Sequence, residues 1–206
     1  MSTVTVPPAA ASGAGAFLHE FLRDPLRTAS FLPSSPALAR AATAPVPHTG
    51  DPVVVELGAG TGALTGVIAD RLGGRGHHMA VELNPRLAGL LQRAHPDVDV
   101  VVADAARLPD LLAERNIGAA DVVVSGLPWA AYPARGPRLT DVIAGSLHPA
   151  GALTQFGYTC TRALPPARRL RNRLAEAFEE VVVGRSVLAN LPPAFVLTAR
   201  RPRQVP

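Results

Sequence analysis

The chain has 206 residues, of which 48% are hydrophobic, and a formal net charge of +4. This length predicts one main domain with a single buried core. No apolar run reaches the roughly 20 residues that a membrane-spanning helix needs, and we expect no signal peptide. The single Cys160 cannot form an intrachain disulfide and fits a reducing cytoplasm.

Two N-terminal segments precede the regular part of the chain. Residues 1–15 are small and proline-rich and predict a disordered tail. Residues 16–50 predict a helical cap, whose last helical piece is capped by Ser34 or Ser35. Within this cap, 16–32 places phenylalanines and leucines on one side of a helix and arginines on the other. The pattern suits a helix at an anionic membrane surface, a helix that packs over a binding pocket, or both.

Residues 51–206 predict the core, because Val-rich strands alternate there with amphipathic helices. Strands are predicted at 53–57, 78–82, 98–103, 121–125, 151–158, 178–187 and 194–200. Helices are predicted at 62–72, 85–94, 108–115, 137–147 and 165–176. Continuous apolar strands bracketed by helices indicate an α/β fold with a parallel sheet that is buried on both faces.

A glycine-rich loop follows the first predicted strand. Its sequence "ELGAGTGA", 56–63, satisfies the dinucleotide pattern G-x-G-x-x-[GA] and also the looser E-x-G-x-G-x-G of enzymes that use S-adenosylmethionine. Gly58, Gly60 and Gly62 let the backbone approach a ligand, because no Cβ intervenes. A tight turn without a ligand is the alternative. The glycines alone do not identify the cofactor.

Acidic residues end three successive predicted strands. Glu56 would repel a pyrophosphate, whereas S-adenosylmethionine carries an ammonium and a sulfonium, which a carboxylate attracts. Glu82 is placed to accept the ribose hydroxyls, and Asp104 either accepts from the adenine amine or caps the next helix. Ligands of open α/β sheets bind at this edge, so the acids favour S-adenosylmethionine over NAD. His77 and His78 lack ligand-spaced neighbours, and we expect no metal.

The order of "ELGAGTG", "VELNP", "ADAARLP" and "VVVSGLPW" resembles that of class I S-adenosylmethionine-dependent methyltransferases. The stretches "FLRDPLRTASFLPSSPALARAA", "SGLPW", "QFGYT" and "NLPPAFV" resemble the bacterial phospholipid N-methyltransferases, which methylate phosphatidylethanolamine and are similar to ribosomal RNA adenine dimethylases. The similarity spans residues 17–200. It implies a Rossmann-like, seven-stranded, mostly parallel sheet with helices on both faces, a last antiparallel strand and an N-terminal helical cap.

The resemblance also implies which residues contact the cofactor. They lie in the glycine loop, at the ends of the second and third strands and in the loop after the fourth: Glu56, Gly58, Ala59, Gly60, Gly62, Glu82, Leu83, Asp104, Ala105, Gly126 and Leu127.

The loop "SGLPW", 125–129, stands where amino methyltransferases place the tetrapeptide that accepts the amine hydrogens. Ser125 occupies its first position, unless the frame is shifted by one, and Trp129 stands near the stacking aromatic. Serine is a poorer acceptor than asparagine for an exocyclic amine, which disfavours a nucleic-acid base as substrate. The alternative is that Pro128 and Trp129 only close a loop over the core.

Tyr158 is expected at the end of the fifth strand facing the cleft, where its hydroxyl would orient an amine or a phosphate. A structural tyrosine is the alternative. Arginines cluster on either side of it: Arg135, Arg138, Arg162, Arg168, Arg169, Arg171 and Arg173. Guanidinium groups suit a phosphate diester, although a solvated helix face explains the cluster equally well.

These observations predict an N-methyltransferase that acts on the amine head group of a phospholipid, in the cytoplasm or peripherally at the inner face of the membrane. Three alternatives remain. The substrate is a soluble amine or specialised metabolite, it is an adenine of ribosomal RNA, or the chain is a non-catalytic module that binds the cofactor. Ser125 and the lack of an obvious RNA-binding extension disfavour a nucleic acid.

Overall fold

A seven-stranded sheet runs through the residues that the computed structural model describes, 34–128 and 138–203. Its strands are β1 (Val53–Leu57), β2 (His77–Glu82), β3 (Asp99–Val102), β4 (Ala120–Ser125), β5 (Leu147–Tyr158), β6 (Phe178–Val183) and β7 (Ala194–Pro202). They lie in the order β3-β2-β1-β4-β5-β7-β6. Only β7 runs antiparallel to its neighbours, β5 and β6. The predicted fold, including the antiparallel last strand, is confirmed.

Six α-helices connect these strands or precede them in the described residues: α1 (Pro36–Ala42), α2 (Thr65–Leu72), α3 (Pro85–Ala94), α4 (Leu108–Ala113), α5 (Leu139–Gly145) and α6 (Pro165–Ala177). Short 3-10 turns lie at Ala105–Arg107 and Thr159–Thr161. The predicted cap of α1 is confirmed, because the Ser35 Oγ accepts from the Leu38 N–H at 3.2 Å. None of the helices in the described residues is long and apolar enough to cross a bilayer.

The sheet is buried on both faces, as the continuous apolar strands predict. On one face, residues such as Leu57, Leu108 and Phe178 form a core with α4, α5 and α6. On the other face, Leu38 and Ile68 pack with α1 and α2 against β1 and β4. The predicted tail 1–15, the segment 16–32, Trp129 and Arg135 lie outside the described residues, so the predictions made for them stay predictions.

Several predicted boundaries are wrong: α2 begins at Thr65 and not at 62, β5 begins at Leu147 and not at 151, and two elements end earlier than predicted. The helix predicted through 147 ends at Gly145, because Leu147 already pairs with Ala120 at the start of β5, next to an irregularity in the ladder. The strand predicted through 187 ends at Val183. A Cβ at Gly184 would lie 3.0 Å from the Val196 oxygen, and beyond it only an isolated bridge through Val187 continues the pairing.

Candidate active site

The carboxyl ends of β1, β2, β3 and β4 meet at one edge of the sheet, because these neighbouring strands are parallel. The connection from β1 leads to β2 on one side, whereas β4 pairs with β1 on the other side. Open α/β sheets bind ligands in the crevice at such a switch point. The edge therefore brings together the glycine loop, Glu82, Asp104 and the loop that follows Ser125.

The three glycines of the loop have different roles in the structure. All have positive φ, +71° at Gly58, +57° at Gly60 and +87° at Gly62. A Cβ at Gly58 would lie 2.8 Å from Leu127 Cδ2, and one at Gly62 would lie 2.7 Å from Leu91 Cδ1, so these two permit close packing. A Cβ at Gly60 would meet only a backbone oxygen at 4.0 Å. Gly60 thus borders open space that a ligand can fill.

Glu82 is buried at the end of β2 and shapes the glycine loop. Its Oε2 accepts from the Gly60 N–H at 2.8 Å, and its Oε1 accepts from the Asn84 N–H at 2.9 Å. Each carboxylate oxygen retains a second lone pair, which leaves capacity for the predicted ribose hydroxyls. Next to it, the side chain of Leu83 is 67% exposed and offers an apolar surface beside the site.

Glu56 is fully buried under the glycine loop, and its two carboxylate oxygens have different surroundings. Its Oε2 accepts from Thr65 Oγ1 at 2.7 Å and lies 3.5 Å from His78 Nε2. Its Oε1 has no hydrogen-bond partner among the described residues. A buried carboxylate oxygen without a partner is unfavourable, so a cationic group of a ligand would be stabilised there, directly or through water. This fits the ammonium of S-adenosylmethionine.

Asp104 caps the 3-10 turn after β3, which was the alternative role considered for it. Its Oδ1 accepts from the Ala106 N–H at 2.8 Å. The residue is exposed, and its Oδ2 makes no hydrogen bond within the described part of the chain. The side chain of Ala105 is buried in the core, as is that of Ala59, so both face away from solvent. Asp104 can therefore cap the turn and still accept from an adenine amine.

The loop after β4 is fixed by bonds from three directions. The Gly126 N–H donates to the Leu57 oxygen at 2.8 Å, and the Leu127 N–H donates to Ser125 Oγ at 3.4 Å. The Leu127 carbonyl accepts from Gln155 Nε2 at 3.0 Å. Ser125 is only 1% exposed. Its hydroxyl thus supports the loop backbone, and the predicted contact between Ser125 and an amine stays a prediction.

Tyr158 is the last residue of β5, as predicted. Its ring is half-buried, packs on the α1 face of the sheet and meets Phe156 edge-on, with ring centroids 6.3 Å apart. Burial raises the pKa of the phenol above its ordinary value, and the electrostatic effect of Cys160 raises it further. The hydroxyl is therefore neutral near pH 7 and can donate or accept a hydrogen bond. Its predicted role towards the substrate stays a prediction.

Sequence reasoning gave no role to three side chains of this region. Gln155 stands in the quoted "QFGYT" stretch, yet its bond to Leu127 depends on how β5 lies beside β4. Thr65 and His78 come from α2 and β2 and meet only at Glu56. A polar residue in the buried strand β2 is a signal for His78, and Thr65 is a buried polar residue at the start of α2. Neither signal tells which side chain will pair with Glu56.

A comparison with curated proteins decides the family. Over 144 residues the chain is 40% identical to an ornithine lipid N-methyltransferase of Singulisphaera acidiphila, which covers 68% of this chain and 75% of that enzyme. The chain belongs to that enzyme's family. It is a class I S-adenosylmethionine-dependent methyltransferase, as its motifs predicted. No family model matches the chain.

Solved structures agree with the fold of this methyltransferase. A precorrin-6y C5,15-methyltransferase of Geobacter metallireducens has a TM-score of 0.60 at 18% identity, over 80% of this chain and 87% of that one. A SAM-dependent O-methyltransferase of Thermotoga maritima has a TM-score of 0.62 at 17% identity, over 83% of this chain and 67% of that one. Aeropyrum pernix fibrillarin, solved with natively bound S-adenosylmethionine, has a TM-score of 0.55 at 16% identity, over 77% of this chain and 72% of that one. The cofactor of the methyltransferase is S-adenosylmethionine.

Proposed function

We propose that the methyltransferase transfers methyl groups to the amine of a membrane lipid head group, and specifically that of a phospholipid. The observation that supports this proposal is the 40% identity to an enzyme named for N-methylation of ornithine lipid. Its name couples a lipid with an amine acceptor. The acceptor amine belongs either to a phospholipid or to an ornithine lipid. The stretches "SGLPW" after β4 and "QFGYT" in β5, which resemble those of phospholipid N-methyltransferases, favour the phospholipid.

Methyl transfer requires little covalent chemistry from the protein itself. Bound S-adenosylmethionine supplies a methyl group that its sulfonium already activates. An alkylammonium, with a pKa near 10 as in lysine, must lose a proton before it can attack. The chain's task is to select or produce the neutral amine, align it and exclude water. Backbone carbonyls of the loop after Ser125, which Gln155 and Gly126 fix in place, are suited to accept the amine hydrogens.

The experiment supplies labelled S-adenosylmethionine with several acceptors in parallel. These are phosphatidylethanolamine, ornithine lipid, a total lipid extract, a soluble polyamine and ribosomal RNA. We expect label in a lipid amine, identified by mass spectrometry as a methylated head group. Label in RNA or only in a soluble amine would contradict the proposal and would support one of the alternative acceptors.

The location of the methyltransferase follows from the same proposal. An enzyme that acts on lipid head groups works at a membrane surface, and we propose peripheral attachment at the cytoplasmic face. The segment 16–32 remains the predicted contact with an anionic surface. Sedimentation with vesicles, compared at low and high salt, tests this, because electrostatic attachment weakens as salt screens the charges.

A further inference from the structure

The arginines that cluster in the sequence separate into groups in the structure. Arg138 forms an ion pair with Glu176, so its charge is compensated. Arg169 lies on α6 but does not line the cleft described next. Arg162, Arg168 and Arg171 converge instead on one cleft. The structure therefore selects three of the arginines for a common role.

This arginine cleft lies between α6 and the strands β6 and β7, and its three arginines are exposed at the surface of the protein. Its apolar side is made by Val183, Phe195 and Leu197. The guanidinium carbon of Arg162 lies 5.7 Å from the centre of the Phe195 ring, a cation–π distance that fixes the direction of this arginine.

Among the described residues, no carboxylate compensates the charge of the three cleft arginines. Within residues 34–128 and 138–203, Arg162, Arg168 and Arg171 form no ion pair with a carboxylate. Three guanidinium groups around one cleft repel each other and are stabilised by an oxyanion, which each can bind through two parallel N–H donors. A phosphate or a carboxylate has the matching chemistry.

Two residues that line the arginine cleft lie near the same edge of the sheet as the candidate active site. Val183 is the last residue of β6, and Phe195 pairs with Gly157 near the end of β5. Strands β4 and β7 are separated only by β5, which corresponds to about 10 Å at the usual strand spacing. A head group whose amine lies at the loop after β4 can therefore reach towards the arginines.

We propose that the arginine cleft binds the oxyanion of the acceptor lipid, a phosphate or carboxylate carried on the same head group as the amine. The inference deepens the proposed function and rests on it. It identifies the substrate class as a lipid whose amine and oxyanion are neighbours, and it makes Arg168 and Arg171 residues that determine specificity.

The test compares two acceptors in neutral detergent micelles: a short-chain phosphatidylethanolamine, which carries the oxyanion, and dodecylamine, which does not. The variant is Arg168→Gln with Arg171→Gln. Its matched control is Arg40→Gln with Arg93→Gln, which removes the same charge from exposed positions in the last turns of α1 and α3. We expect the variant to raise the KM for phosphatidylethanolamine about tenfold or more, with kcat nearly unchanged, and to leave the KM for dodecylamine as in the parent.

Several results would overturn the proposal. They are an unchanged KM for phosphatidylethanolamine, an equal rise for both acceptors, or the same rise in the control. In neutral micelles the substrate is the sole lipid oxyanion. An effect that arises only in vesicles with added phosphatidylglycerol would therefore assign the cleft to surrounding lipid and would also overturn it.

A binding measurement separates this inference from the proposed function. Calorimetry with dihexanoyl phosphatidate, which has no amine, tests the cleft without methyl transfer. If no lipid is methylated but this probe binds the parent and the control and not the Arg168→Gln, Arg171→Gln variant, the cleft is an oxyanion site and the proposed function fails. If the probe binds parent and variant equally, the cleft does not hold the oxyanion.

Discussion

Gln155 holds the carbonyl group of Leu127. Its Nε2 donates to the Leu127 oxygen at 3.0 Å and to the Phe156 oxygen at 2.9 Å, and the residue is only 1% exposed. A buried amide with two carbonyl partners is fixed in its orientation. The bond therefore joins β5 to the loop after β4, where the amine is expected to be aligned with the methyl donor.

Replacing Gln155 tests this connection. Gln155→Leu keeps the approximate volume but removes the hydrogen bonds from Nε2 to the Leu127 and Phe156 carbonyls, so the loop after β4 gains freedom. We expect kcat to fall about tenfold to a hundredfold, while the affinity for S-adenosylmethionine changes little, because misalignment costs rate more than binding. The matched control is Gln92→Leu on α3, which also removes donors from two carbonyls, those of Pro96 and Val98. Equal kinetics in both variants would make Gln155 a merely structural residue.

We expect that adding a single methyl group at Gly60 weakens the binding of the cofactor. Gly60→Ala places a Cβ in the open space beside the loop and strains a φ of +57°. Gly73→Ala has the same strain, at a φ of +56°, and also meets nothing within 4 Å, but it lies at the end of α2. We expect about tenfold weaker S-adenosylmethionine binding by calorimetry only for Gly60→Ala. Similar losses in both would attribute the effect to the backbone alone.

Glu82→Ala removes the acceptor of the Gly60 and Asn84 N–H groups together with the predicted ribose contact. Loss of a buried charged acceptor is worth about 2 kcal/mol, which corresponds to about thirtyfold in affinity for S-adenosylmethionine. Calorimetry measures this directly, and thermal unfolding without cofactor reports how much of the loss is due to a looser loop. Unchanged affinity would contradict the assignment of Glu82.

Tyr158→Phe tests whether the hydroxyl serves the substrate. The ring and its contact with Phe156 remain, so packing is preserved. If the neutral hydroxyl orients the acceptor, turnover falls about tenfold to a thousandfold with cofactor affinity nearly unchanged. Phe156→Leu is the companion variant, because it alters the packing and leaves the hydroxyl. Parent-like turnover of Tyr158→Phe on the true acceptor would make the tyrosine structural.

The ionised carboxylate of Asp99 stabilises the fold, and this stabilisation depends on pH. Burial raises its pKa, but the hydrogen bond and charge of Arg115, together with His77, outweigh this and hold the pKa below its usual value. The folded state therefore favours the ionised carboxylate. Its contribution is present above the unfolded pKa of about 3.9 and is lost as the pH falls through the lowered folded value.

We expect Asp99→Asn to lower the free energy of unfolding by about 1 kcal/mol at pH 7, as for a partly exposed pair. The difference from the parent should shrink as the pH falls below about 3.9. Urea unfolding at several pH values measures it. Asp110→Asn, which removes an exposed carboxylate on α4, should show a much smaller effect. A difference that stays constant with pH would contradict the role of the Asp99 charge.

The sheet and the positions of the strand-end acids could be predicted, because both depend on local patterns. Apolar runs predict buried strands, and parallel strands bring their last residues to one edge. Glu56 shows where this reasoning stops. Its position was predicted, but its partners Thr65 and His78 come from α2 and β2, and only the packing of those elements reveals them.

The start of β5 and the arginine cleft could not be predicted from the sequence, for a related reason. Leu147 joins the sheet because Ala120 is available beside it, although a helix pattern runs through the same residues. Arg168 and Arg171 have the spacing of any solvated helix face. Their common cleft with Arg162 depends on how α6 lies against β7. Pairings between distant segments decide such features.

Where the glycine loop meets the loop after β4, the backbones of Gly58 and Gly126 approach each other closely, and the side chain of Leu127 packs against Gly58. A Cβ at Gly126 would lie 2.8 Å from the Gly58 oxygen, and one at Gly58 would lie 2.8 Å from Leu127 Cδ2. The glycine loop is expected to hold the methyl donor, and the loop after β4 is expected to contact the donor through Gly126 and Leu127 and to align the acceptor. We therefore expect the spacing between the two reactants to depend on this contact, and we expect loops exchanged between related enzymes to work only as a matched pair.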